Sequence, residues 1–265
     1  MMASRASSAI PLQMASVLAA IVLSASSFGL TPSLSPTAGL ETSDRNTFDK
    51  AAELYRAGNF AESEDLLNRL SWTSAAPGAL HNLGNAEFKL GNVGPAILAW
   101  EKAHALDPWN RNTSANLRFV RNHAALLPPS LSWSEKYSSW LPADCWLWTA
   151  SLCFWIGLAC LALPSLLARR RTAWTQAGAV VTLSAFILTL PALAGLSSRA
   201  SLGVVTRTEA PLRLTPTQEG EVLGKLPAGD VARVELTRGP YLYVRGDGDR
   251  AGWVHGDEFT RIWSQ

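Results

Sequence analysis

Few side chains here could do chemistry, and none are grouped to do it. His81, His104, His123 and His255 are scattered, and no two have the spacing of a metal pair. Cys145, Cys153 and Cys160 all lie at the mouth of one apolar run or within it, so neither polar part of the chain has a thiol for a disulfide, a zinc site or a Cys–His hydrolase. Packing or lipid contact is the ordinary use of such thiols, with modification of Cys145 as the minor alternative. Asp247-Gly-Asp249 lacks the further acidic ligands of a calcium loop and reads as a hairpin turn. There is no Gly-Lys-Ser/Thr phosphate loop and no Gly-x-Ser-x-Gly elbow. The expectation is a binding protein with no catalytic residue, metal or cofactor.

The residues that could recognise something are aromatic and amide. One set is Phe48, Tyr55, His81, Asn85, Phe88, Phe119 and Asn122, spread over three helical segments. The other is Tyr241, Tyr243 and Trp253, in a run of short β-type segments. Alternation along Tyr241–Arg245 puts the tyrosines on the face opposite Leu242 and Val244, exposed to solvent. Phe48, Phe119 and the tyrosines would serve equally as packing residues.

Two longer-range patterns must position these sets. Between Trp146 and Ser198 lie two stretches without a charged side chain, interrupted only by Arg169, Arg170 and Arg171. Each exceeds the roughly 20 residues that span ~30 Å of hydrocarbon as a helix. Three arginines at mid-membrane would cost about 2.5–3.5 kcal/mol each, which excludes one continuous span. The chain is therefore expected to cross at 146–168, turn through a basic loop at 169–171, and cross back at 172–196. Short basic loops stay in the cytoplasm, so both polar parts should lie on the other side. Arg5 followed by the apolar Val17–Leu23 and small residues reads as a secretory signal over 1–27, cleaved or kept as an anchor, and gives the same topology. Trp140, Trp146, Trp148 and Trp174 gather at the span ends, as interfacial tryptophans do.

Residues 28–44, rich in Ser, Thr, Pro and Gly, read as a tether. Over 45–127 the sequence echoes itself: Ala57-Gly-Asn-Phe60 recurs 33 positions on as Leu90-Gly-Asn-Val93, with amphipathic segments on either side of each. A period of about 34 residues with paired helices signals a helical repeat. The unit Leu80–Asn110 resembles a tetratricopeptide repeat through Leu83, Gly84, Gly91, Ala96, Trp100, Ala103 and Pro108, although Glu87 stands where an aromatic is usual. Thr113–Ala125 resembles the closing helix of such an array, with Leu117 and Val120 facing back and Arg118 and Arg121 outward. A lysine- and arginine-based clamp for a free C-terminus is matched only by Asn82, so an aromatic and amide groove for a helix or extended segment fits better. Pro128-Pro129 opens a connector over 128–145.

After Arg199, five or six short strands separated by Pro-Ala-Gly-Asp230, Arg238-Gly-Pro240 and Gly246-Asp-Gly-Asp249 suggest a small barrel over 202–263. The order resembles a bacterial SH3 (SH3b) domain through Ala210-Pro-Leu-Arg-Leu-Thr-Pro216, Gly224-Lys-Leu226, Tyr241-Leu-Tyr-Val-Arg245 and Gly252-Trp-Val-His255. The expected class is thus a multidomain membrane protein: an all-α tetratricopeptide-like domain, a two-helix transmembrane hairpin and a small all-β SH3-like barrel. Charged residues are 17% of the chain, diluted by the spans, and 23 basic against 21 acidic residues give no field that points to nucleic acid.

This order of segments, with Asn82-Leu-Gly-Asn-Ala86 and Ala96-Ile-Leu-Ala-Trp100-Glu-Lys-Ala103, resembles the BatE-type proteins of bacterial aerotolerance operons. The resemblance implies an inner-membrane component with its repeat and SH3b domains in the periplasm, working beside von Willebrand-type membrane proteins and a MoxR-type ATPase in envelope stress. It does not imply a biochemical activity. A scaffold that recruits protein partners is the leading expectation, and a peptidoglycan tether through the SH3b-like domain is the alternative.

Overall fold

The computed structural model describes residues 38–73, 76–168, 170, 172–248 and 250–263. The signal at 1–27, the first part of the tether (28–37), Arg169 and Arg171 lie outside the described residues. Among the described residues five helices come first: α1 (Ala38–Arg56), α2 (Phe60–Thr73), α3 (Pro77–Lys89), α4 (Val93–Leu106) and α5 (Arg111–His123). The stretch read as a tether therefore turns helical at Ala38.

The echoed turns close in the same way. Gly58 and Gly91 take left-handed φ angles of 85° and 84°, which glycine adopts without Cβ strain. The Asn59 N–H then reaches back to the Leu54 carbonyl at 2.9 Å, and the Asn92 N–H reaches the Glu87 carbonyl at the same distance. Both are helix stops with a glycine just past the end. Between the helices, Ala51, Leu67, Leu70, Ala79, Leu83 and Ala99 form one buried cluster with Phe48 against it. Gly84 has no room for a Cβ because the Trp100 ring lies on it.

Sequence reading missed α6 (Trp133–Ser138), inside the connector. Ser132 and Glu135 form a reciprocal capping box, so the Ser-x-x-Glu spacing was its signal. Next come α7 (Ala143–Leu166) and α8 (Ala173–Arg199), the latter capped by the Thr172 hydroxyl on the Thr175 N–H. Their lengths, 24 and 27 residues, and mean hydropathies, 1.8 and 2.1, suffice to cross a membrane. Only 17% and 22% of their apolar stretches are buried in the protein, unlike the core helices of a water-soluble domain. The two pack antiparallel: Phe154 meets Phe186 with ring centroids 5.3 Å apart, and Gly157 and Gly178 leave space for Leu183 and Cys160.

Seven strands among the described residues form one antiparallel sheet in the order β3-β2-β6-β5-β4-β1-β7. They are β1 (Leu202–Val205), β2 (Glu209–Arg213), β3 (Val222–Pro227), β4 (Val231–Arg238), β5 (Tyr241–Arg245), β6 (Ala251–His255) and β7 (Phe259–Arg261). The sheet is open, with β3 and β7 as its edges, whereas the sequence suggested a barrel. The three-residue β7, also unforeseen, ladders only with β1 and makes no closing pair with β3. All seven strands nevertheless bury residues in one cluster, from Val205 and Leu212 to Leu226, Val244 and Phe259.

Residues 44–265 cluster as one compact unit, in which the helical and β parts pack on each other. A second core joins Ala96, Ile97 and Trp100 of α4 and Leu117 and Val120 of α5 to Leu202, Val204, Val231 and Ile262 of the sheet. Gly94 at the start of α4 sits so close to the Val205 and Thr206 backbone that a Cβ there would overlap both carbonyl oxygens. Gly229, with φ 84°, makes the same allowance for the Ile97 side chain.

Candidate functional site

The α3 side chains expected to line a groove are mostly bonded to α5. His81 and Asn85, one helical turn apart, share a face. His81 Nδ1 lies 2.9 Å from Thr113 Oγ1, and burial holds its imidazole below the usual histidine range. Asn85 Oδ1 accepts hydrogen bonds from Asn116 Nδ2 at 2.8 Å and from Trp100 Nε1 at 3.2 Å. These polar groups bind helix to helix, which sequence spacing alone did not reveal.

What remains open on that face is aromatic. Phe88 meets Trp100 on its inner side and the Phe119 ring edge-on at 6.2 Å, and Phe119 stacks on His123 at 6.0 Å. Phe119 is 59% exposed, a large value for a phenylalanine, and Asn122 beside it is also exposed. Phe48 lies against the α1–α4 core instead. Tyr55 contacts Phe60 at 5.1 Å and lines, with Asn82 and Asn85, a small cavity of about 160 Å³. Of the seven residues, Phe48 is packed, His81 is bonded to Thr113, Tyr55 and Asn85 line a small recess, and half-buried Phe88 with exposed Phe119 and Asn122 forms a rim that His123 extends.

On the sheet, Tyr243 and Trp253 stand directly opposite in the β5–β6 register, half-buried, with rings edge-on at 5.3 Å. Tyr241 is only 7% exposed, which corrects the expectation that alternation would expose it. It pairs across the strands with His255 and packs edge-on against that imidazole at 5.2 Å. Tyr241 and His255 help form the wall of an open depression of about 400 Å³ that also includes Arg207 and Arg213. Trp253 and Tyr243 lie outside it.

A cavity of about 580 Å³ holds residues that sequence reading did not select. It opens where α4, α5, the connector, the end of α8 and the sheet converge. Arg111, Arg118, Arg121 and Arg199 face it together with His104, against one carboxylate, Glu101. Arg121, expected to point outward, lies inward and pairs with Glu101 because the sheet covers this side of α5. Burial pushes the His104 imidazole down, and the cations Arg199 and Arg121 add to this against Glu101 and Asp107. Arginines at 111, 118 and 121 fall about a helical turn or two apart, a spacing that could have flagged one basic face of α5.

Arg170, the one described member of the basic triplet, is exposed between the two long helices. Among the described residues no group of three or more His, Cys, Asp or Glu side chains could hold a metal ion. No protein-family model matches this chain, and neither does the sequence of any curated protein.

Proposed function

We propose that this chain is a non-enzymatic adaptor of a bacterial inner membrane, anchored by α7 and α8, that presents one rigid extracytoplasmic head to protein partners. In this reading the Arg169–Arg171 loop is cytoplasmic, 45–127 acts as a tetratricopeptide-like domain and 202–263 as an SH3b-like one. The BatE-type resemblance supplies the setting, an envelope-stress complex beside von Willebrand-type membrane proteins.

The observation that carries the reading is the core shared by Ile97, Trp100, Val204, Val231 and Ile262. It sets the Phe88–Phe119–His123 rim on the same base as the sheet. A partner bound there meets a surface that loses little further freedom, which favours affinity at modest contact area. Aromatic side chains, phenylalanine included, are also enriched at protein–protein interfaces.

The test is recovery of partners with a tagged chain from its native membrane. Phe119→Glu should lower that recovery about tenfold or more without loss of membrane-inserted protein. Unchanged recovery sinks the reading.

A cell-wall tether is the second reading, supported by the half-buried Tyr243–Trp253 pair on a sheet that also carries Arg213. Co-sedimentation of the full detergent-solubilised chain with purified sacculi, abolished by Trp253→Ala, would favour it over the adaptor.

A further inference from the structure

The 580 Å³ cavity has an unbalanced charge. Arg111, Arg118 and Arg199 form no ion pair among the described residues, and Arg121 shares the single Glu101 carboxylate. The other carboxylate that acts on Arg199, that of Glu135, is already taken up by Arg233 and the Ser198 hydroxyl. Within the Arg121 guanidinium, Nε is buried and has no hydrogen-bond partner among the described residues. A buried donor left unsatisfied costs about 1–3 kcal/mol, so a site of this kind favours an acceptor that can reach it.

Beside these cations the lining carries an apolar flank that includes Leu117, Leu131, Ile262 and Trp263. Cation-rich walls with an apolar flank suit an amphiphilic anion better than a bare inorganic one. Guanidinium groups match the geometry of phosphate oxygens in particular. The volume falls within the range of about 300–1,000 Å³ that holds small ligands.

Position narrows the choice further. Arg199 ends α8, and Ser139 lies just before Pro142, which caps the start of α7. The antiparallel pairing of Phe154 with Phe186 carries on to set the end of α8 level with the start of α7. At ~1.5 Å per residue α8 is about 40 Å long against ~30 Å of hydrocarbon, so its end stands among lipid headgroups.

We propose that this cavity binds the phosphate group of an anionic membrane lipid, whose acyl chains remain in the bilayer beside α7 and α8. This rests on reading α7 and α8 as membrane spans. Arg118 from α5 and Arg199 from α8 would grip the phosphate, and Leu131 and Trp263 would take the glycerol and upper chain. A lipid so held would clamp the head at a fixed height and tilt over the membrane.

The experiment uses the full chain in nanodiscs of phosphatidylcholine and phosphatidylglycerol, with retained lipid counted by native mass spectrometry. The wild type should retain phosphatidylglycerol selectively, and Arg118→Gln with Arg199→Gln should weaken that about tenfold or more. Arg111→Gln, at an exposed site at the start of α5, serves as a second variant and should weaken it several-fold with an unchanged melting temperature. Inorganic phosphate and glycerol phosphate, added to the same protein, should compete only at far higher concentration. Equal lipid retention by wild type and all variants overturns the proposal. Capture of inorganic phosphate without lipid preference also overturns it, and makes the cavity a free-anion site. A chain that stays dissolved without detergent removes the membrane reading as well, whereas an inserted chain with no lipid preference removes this proposal alone.

Discussion

Glu135 and Arg233, 98 positions apart, meet with the carboxylate Oε1 2.6 Å from guanidinium Nη2. Glu135 is 1% exposed, and the same oxygen accepts a hydrogen bond from Ser198 Oγ at 2.6 Å, while Oε2 caps the Ser132 N–H at 2.8 Å. Arg233 in turn donates to the Ser198 carbonyl at 2.8 Å. One carboxylate therefore ties the connector helix α6, the end of α8 and strand β4 together.

Burial alone would raise the Glu135 pKa. The bonds from Ser198, the Ser132 N–H and Arg233, with the Arg233 charge, outweigh it and bring the value from 4.5 down to about 2. A depressed carboxylate pKa stabilises the folded state fully above 4.5 and loses that contribution as pH falls toward 2. Thermal melting of the detergent-solubilised chain should show this loss in that window. Glu135→Gln should flatten it and, by leaving Arg233 without its counter-charge, cost about 3 kcal/mol at neutral pH.

Gly195 lies against the Ser134 carbonyl with no space for a Cβ. Gly195→Val should force α6 away from α8 at a cost of about 1–3 kcal/mol. Limited proteolysis should then cut the connector near Trp133–Ser138 while α7 and α8 stay protected. An unchanged cleavage pattern would show that this contact does not hold α6.

Ile97 is fully buried in the core shared by α4 and the sheet. Ile97→Ala should cost about 2–5 kcal/mol. Because the core is common, the helical and β signals in circular dichroism should fall in one transition at a lower temperature. Loss of the helical signal alone would mean that the two parts unfold independently.

Phe119→Ala should leave stability within about 1 kcal/mol, since this exposed ring loses only an edge-on contact with Phe88 and a stacking contact with His123. A melt that drops further would assign Phe119 to packing.

Cys145 is exposed in the first turn of α7, and Cys153 and Cys160 lie deeper along the same helix. In intact cells a membrane-impermeant maleimide should label Cys145 and spare the other two. Labelling of Cys160 from outside, or of Cys145 only after lysis, would invert or abolish the proposed topology.

The amino-acid order alone determined the local elements, because each is decided within a turn or two of its own residues. Two uncharged runs around an arginine triplet specify a helical hairpin, and a glycine past each helix end, at Gly58 and Gly91, sets the repeated stop. Strands β5 and β6 were legible from alternation and turn residues to their exact limits. The Ser132–Glu135 cap was equally local, and its short α6 passed unnoticed because polar connectors are ordinarily structureless. Tertiary structure alone decided which faces are free. His81 and Asn85 face a neighbouring helix, Tyr241 is covered by His255, and the sheet over α5 turns Arg121 inward and gathers Arg118 and Arg199 around one cavity. These pairings link residues tens of positions apart, and burial across such distances leaves no periodic trace in the sequence that makes it.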